Sequence, residues 1–272
     1  MNKKTIIGLI SIICLLACVS ASLIVMLRLN GKTEEVKMSD IEWYDENATE
    51  FTITTAKELY EVVELSNFYT FEGQTIKLGA DIVVNEGNAT EWNKKAPDKT
   101  WYPIKKFAGT FDGQGHTISG LYGVGIDVAM GMFSGSSAKA IVKDFKLTNS
   151  YFETKGNVGV GSIVVDGGGT FSQISSDAII DCDGNNASGI ASVMKYKTSI
   201  SECWYDGSIT LAGRSAAGIV DQVNTVTISV DHCLYTGDIY SSFNNGGARI
   251  GGLVGSLKGS GSNVTMTDSL SV

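Results

Sequence analysis

Two stretches decide the fold: SGIASVMKYKTSISECWYDGSITLAG, Ser188 to Gly213, and AGIVDQVNTVTISVDHCLYTGDIYSS, Ala217 to Ser242. Gly189 aligns with Gly218, Ile190 with Ile219, Cys203 with Cys233, Tyr205 with Tyr235, Gly207 with Gly237 and Ile209 with Ile239. The glycines are 29 residues apart and the cysteines 30. Fainter copies begin at Met130, Val158 and Gly251. Each reads as a strand near a glycine, a turn, a second strand around the cysteine position, a glycine turn and a third strand. Three short strands in roughly 30 residues are the signature of a β-solenoid coil, a unit that buries its apolar face only by stacking on its neighbours.

Equivalent residues of stacked coils lie about 4.8 Å apart, so Cys203 and Cys233 become neighbours in a ladder. That spacing is within the Cα range of a disulfide, but parallel side chains seldom point at each other correctly. An odd number of cysteines outside the apolar N-terminus (Cys182, Cys203, Cys233) and no CxxC pair give neither a disulfide framework nor a zinc site, so packing is their expected role.

Upstream, Thr55 and Glu58 have capping-box spacing ahead of an apolar helical face at Ala56, Leu59, Val62 and Val63, which predicts a helix over about 55–66 that closes the first coil. From Phe71 the period changes to two, with Ile76, Leu78 and Ala80 alternating against Thr75, Lys77 and Gly79. The far end shows no capping device, which predicts a continued stack or a docking partner there. Thr5 to Leu27 is 23 residues without a charge, flanked by Lys3, Lys4, Arg28 and Lys32. That length predicts a membrane anchor or a signal segment over 1–29. Residues 30–50 read as an acidic tether and 51–272 as the β-helix, with the repeats over about 130–272.

The chain carries a net charge of −8, and without residues 1 to 32 it keeps 17 basic against 29 acidic residues, −12. Such a balance repels phosphate backbones and argues against nucleic acid as a partner. Catalytic signatures are missing: there is no G-x-S-x-G or H-E-x-x-H, and the only histidines are His116 and His232. His232 and Cys233 are consecutive on a strand, so they face opposite sides and cannot form a nucleophile pair. Asp181 to Asn186 has calcium-loop composition without the bidentate glutamate, and reads as a polar turn. The acids of the repeats, Glu202, Asp206, Asp221, Asp231 and Asp238, fall on different strands and turns. Catalytic residues, metal ligands and cofactors are therefore not expected. The candidate binding residues are Trp204, Tyr205, Tyr235 and Tyr240, aromatic rings that could stack on sugars from the coil exterior.

ITTAKELYEVVELSN, TIKLGADIVV, WYPI and FAGTFDGQGHTISGL occur in that order, ahead of repeats opening GMF, GIA, GIV and GLV. On these motifs, over about Phe51 to the C-terminus, the chain resembles the GLUG-motif right-handed β-helix proteins of bacterial surfaces, including the β-helix region that flanks immunoglobulin-A metallopeptidases. The resemblance implies an all-β, right-handed parallel β-helix, exported and displayed, with glycans or host and cell-wall components as partners and no peptidase domain. It marks Trp101, Pro103, Phe111, Asp112, Gly113, Gly115 and His116 as structural motif positions. The expected function is a non-enzymatic module for adhesion, display or spacing; the alternative is a polysaccharide lyase or glycoside hydrolase, which requires carboxylates and a base clustered on one coil face. Within FAGTFDGQGHTISGL, Asp112 to Gly115 predicts a coil corner in which Asp112 bonds its own turn amides and His116 packs or caps.

Overall fold

The computed structural model describes residues 24–29, 32–37, 41–242 and 248–272. Its main body is a parallel β-solenoid of about seven coils. One ladder follows the core from end to end: Phe51, Ile76, Phe111, Val142, Phe171, Ile200, Val230 and Met266 are register partners in successive coils. All but Met266 are buried. A second ladder, Ile104, Phe133, Val164, Ala191, Val220 and Val254, lines an adjacent wall. A third, Phe152, Ile180, Ile209 and Ile239, faces inward from a five-stranded sheet. Apolar residues at every second position thus fill the interior from three sides.

The solenoid begins earlier than residue 130, where the sequence repeats become visible. Its first rungs pair Glu50–Ile53 with Thr75–Leu78. A polar excursion after Ile82–Val83 stretches the step from Ile76 to Phe111 and hides the period from the sequence. Helix α1, Ala56–Leu65, joins the first two rungs and carries the complete capping box, with Thr55 Oγ1 accepting from the Glu58 amide and Glu58 accepting from the Thr55 amide. Leu59, Val62, Val63 and Leu65 enter the same core as the ladders.

The N-terminal boundaries differ from the expected ones. Ile24–Leu29, the end of the expected membrane or signal helix, is a strand paired antiparallel with Lys32–Lys37. The Asn30-Gly31 dipeptide between them is the strongest two-residue hairpin signal, and pairing satisfies the backbone that a helix would otherwise satisfy internally. The rest of that expectation, residues 1–23, lies outside the described residues, among which no helix is long and apolar enough to cross a membrane. The second half of the expected tether belongs to the fold. Ile41 is buried, Trp43 donates from Nε1 to Glu61 Oε2 at 2.8 Å, and Tyr44 meets Phe51, Tyr69 and Phe71 ring to ring. The stretch is acidic at its edges, yet its apolar residues cover the start of the core.

Corners repeat as well as walls. Asp144, Gln173, Glu202, His232 and Asp268 each adopt a left-handed backbone, with φ of 58°, 56°, 52°, 48° and 44°, one per coil, turning the chain between two inward residues. In the stretch Phe107 to Leu121 the same corner is built by Gln114 and Gly115, φ 52° and 76°. Asp112 accepts from the Gln114 amide at 3.2 Å and pairs with Lys143 at 2.9 Å in the next coil. Burial pushes the Asp112 carboxyl up, but the hydrogen bonds from Lys143 and Gln114 outweigh it and hold it below the usual carboxylate range. Gly113 is required by close approach: a Cβ there would lie 2.2 Å from Phe145 Cβ and 2.4 Å from the Asp144 carbonyl. His116 packs outside the corner, with Nδ1 3.3 Å from Asp81 Oδ1. Trp101 is fully buried and donates to the Gly131 carbonyl at 2.9 Å, and Pro103 and Phe111 are buried as well.

Candidate functional site

One solenoid corner is short where its neighbours are long, and the difference makes a groove. Between the Val164 and Phe171 rungs the chain passes through Gly167, Gly168 and Gly169, with φ of +139° at the first and +120° at the third. The register with the following coil jumps there: Gly167 faces Met194 and Gly169 faces Thr198, so Lys195, Tyr196 and Lys197 bulge out opposite Gly168 alone. All three bulged residues are exposed. On the other side the preceding coil turns more widely through Ser137 to Ala140. The glycines let both neighbours close over them: a Cβ on Gly168 would lie 2.6 Å from Tyr196 Cβ, and one on Gly167 2.1 Å from the Ser136 carbonyl.

The resulting groove has a volume of about 790 Å³ and runs over several coils, from Thr70 and Glu72 through Lys106, Ser134 to Lys139, Asp166 and Gly167 to Lys195 and Tyr196. Its size is that of a site for a small molecule or a few sugar units. Tyr196, 51% exposed, offers an aromatic face at one end. Lys139 pairs with Glu72 and Lys195 with Asp166. Lys106, with φ of 48°, makes no ion pair among the described residues.

The four aromatic candidates are not brought together. Tyr205 and Tyr235 are 0% and 6% exposed, stack on each other at 6.1 Å inside the solenoid, and Tyr205 donates to the carbonyls of Ala178 and Ser208. They are core residues, because the parity of the strand turns them inward beside the cysteine column. Trp204 and Tyr240 are exposed, at 43% and 59%, but lie on different sheets. Trp204 donates to Thr236 Oγ1 at 2.7 Å. Tyr196, which the sequence left unmarked, is the exposed ring that lines a groove. Its signal was an offset: Val164 to Ala191 is a step of 27 residues and Phe171 to Ile200 one of 29, so two extra residues must be extruded between them.

Other polar clusters are smaller. On the five-stranded face, Tyr151 Oη lies 3.1 Å from Glu153 Oε2 and 3.5 Å from Asp181 Oδ2, and Lys155 pairs with Glu153 at 3.0 Å. Burial, then the charges of Glu153 and Asp183, push the Asp181 carboxyl up. Burial also pushes the Tyr151 phenol up, which keeps it a proton donor between the two carboxylates. At the exposed corner of the last coils, His232 Nδ1 is 2.9 Å from Asp231 and Nε2 3.8 Å from Asp268. These three are a group among the described residues that could hold a metal ion. Cys182, Cys203 and Cys233 are free and buried, and His232 points outward while Cys233 points inward. The expected packing role fits, and the parallel stacking leaves the pair Cys203 and Cys233 unbridged.

No family model matches the chain, and no curated protein matches it. The chain is similar in structure to a candidate immunoglobulin A1 protease from Bacteroides ovatus, with a TM-score of 0.51 and 15% sequence identity over 80% of this chain and 74% of that one. At that identity the likeness establishes a shared β-solenoid fold and nothing of the chemistry.

Proposed function

We propose that the chain is a non-enzymatic surface module that holds a glycan in the Tyr196 groove, displayed outside a bacterial cell as the GLUG-type resemblance implies. The observation that carries this reading is the construction of the groove: Gly167 at its base, a bulge opposite Gly168 that brings Lys195 and Tyr196 to its edge, and a bordering wall of serines and lysines. A ring on a rigid scaffold with hydroxyl and ammonium donors around it is the equipment for binding a sugar, whose faces are apolar and whose rim is polar. The two acids that line the groove, Glu72 and Asp166, are each paired with a lysine. The test is binding of the full chain to immobilised bacterial and host polysaccharides, with Tyr196→Ala as comparison. Retention that the substitution abolishes supports the site; retention unaffected by it refutes the site.

The lyase or hydrolase reading is favoured by one observation, the Glu153 and Asp181 carboxylates bridged by the Tyr151 hydroxyl. On that reading Asp181, with its raised affinity for a proton, is the general acid. Release of reducing or unsaturated sugar ends by the full chain, lost in Asp181→Asn, would establish it in place of simple binding.

A further inference from the structure

Resting on the glycan reading of the groove, we propose that its ligand is an anionic glycan, one whose sugar rings carry a carboxylate or a sulfate. The argument begins with charge. The chain as a whole is acidic, net −8, yet three lysines, Lys106, Lys139 and Lys195, line this one groove against two acids, Glu72 and Asp166. The two ion pairs they form are surface pairs, with side chains about half exposed. Such pairs are worth about 0–1 kcal/mol, so an incoming carboxylate or sulfate can take over either ammonium at little cost.

Lys106 is the centre of the argument. It is the one lysine among the described residues with a left-handed backbone, a conformation that is costly for a long side chain and persists where the surroundings impose it. The amides on both sides of this corner are fixed: Phe107 N–H donates to the Gly135 carbonyl at 2.9 Å, and Lys105 N–H donates to Ser66 Oγ at 2.9 Å. Lys105 extends the other way, to Asn67 Oδ1 at 2.7 Å. Consecutive lysines are thus split, one to the helix side and one to the groove, where Lys106 has no ion-pair partner among the described residues. An unpaired ammonium in the same groove as two exchangeable ones and an exposed phenol ring can recognise a sugar by its face and by its charge together.

The experiment measures affinity of the full chain for polygalacturonate, for dextran sulfate, for neutral dextran and for polyglutamate, each with the parent protein, Lys106→Met and Tyr196→Ala. Methionine keeps the stem and removes the charge; Lys106→Gly, which accepts the same backbone without strain, checks that any loss is not a folding effect. The expected result is binding to at least one of the two anionic glycans, weakened about tenfold or more by Lys106→Met, the scale of one charge-assisted hydrogen bond. The uronate and sulfate arms distinguish the two sources of charge. Binding to dextran equal to that of the anionic glycans, lost in Tyr196→Ala and untouched by Lys106→Met, overturns the anionic ligand and leaves the glycan site standing. Polyglutamate bound as tightly as the glycans overturns the proposal as mere charge attraction. Failure to bind any of the four overturns both readings.

Discussion

Asp221 is the place where the solenoid should respond most sharply to substitution. It is fully buried, and its Oδ2 accepts from Asn186 Nδ2 at 2.5 Å and Ser215 Oγ at 2.8 Å. Its Oδ1 has no hydrogen-bond partner. Burial dominates and pushes the carboxyl from 3.8 up to about 6. A folded-state pKa above the unfolded value means that the folded chain binds the proton more tightly. Stability from this group is therefore full at low pH, falls as pH rises through the interval from about 4 to about 6, and is flat above it. The separation corresponds to about 3 kcal/mol at neutral pH. Asp221→Asn mimics the protonated acid: one amide atom keeps the bonds to Asn186 and Ser215 and no charge is desolvated. The variant should match the parent near pH 4 and exceed it by about 3 kcal/mol near pH 7.5, a Tm rise of roughly 6 °C or more for a chain of this size. Urea unfolding of both proteins at the two pH values gives the difference directly, and taking a difference cancels carboxylates such as Asp112 whose contribution has the opposite sign. A variant that is less stable near pH 7.5, or a gap that does not change with pH, refutes the reasoning.

Two further predictions separate backbone causes from packing causes. Gly113→Ala drives a Cβ into the Phe145 side chain and the Asp144 backbone of the next coil, and should cost more than about 2 kcal/mol. Gly115→Ala has open space and only a left-handed φ of +76° to satisfy, so it should cost about 1 kcal/mol; equal losses in chemical denaturation would contradict the assignment of the two glycines. Cys182, Cys203 and Cys233 should stay unmodified by iodoacetamide in the native chain and react on unfolding, since all three are buried and burial holds the Cys182 and Cys203 thiols up. Peptide mass spectrometry that finds native Cys203 alkylated would place it outside the core.

The repeats were legible because stacking forces the same residue type into the same wall coil after coil, so Cys203 and Cys233, or Ile209 and Ile239, announce the period themselves. The early coils were not, because an insertion into a solenoid costs only loop entropy, which grows slowly with length; the excursion between Val83 and Trp101 leaves the ladder intact and erases the spacing. Two of the aromatic candidates, Tyr205 and Tyr235, lie in the core rather than on the exterior for a related reason. A two-residue strand such as Trp204–Tyr205 puts one ring outside and one inside, and composition cannot say which; only the parity set by the buried Ile200 and Cys203 can. The groove was hidden more deeply, since no residue in it is unusual. What makes it is a difference in corner length between successive coils, Gly167 to Gly169 against Lys195 to Lys197, and a length difference has meaning only after the rungs on both sides have been aligned. In a solenoid the walls are written in residue identities and the exterior sites in the gaps between them, which is why a search for exposed aromatics passed over Tyr196 while a comparison of the 27-residue and 29-residue steps would have stopped on it.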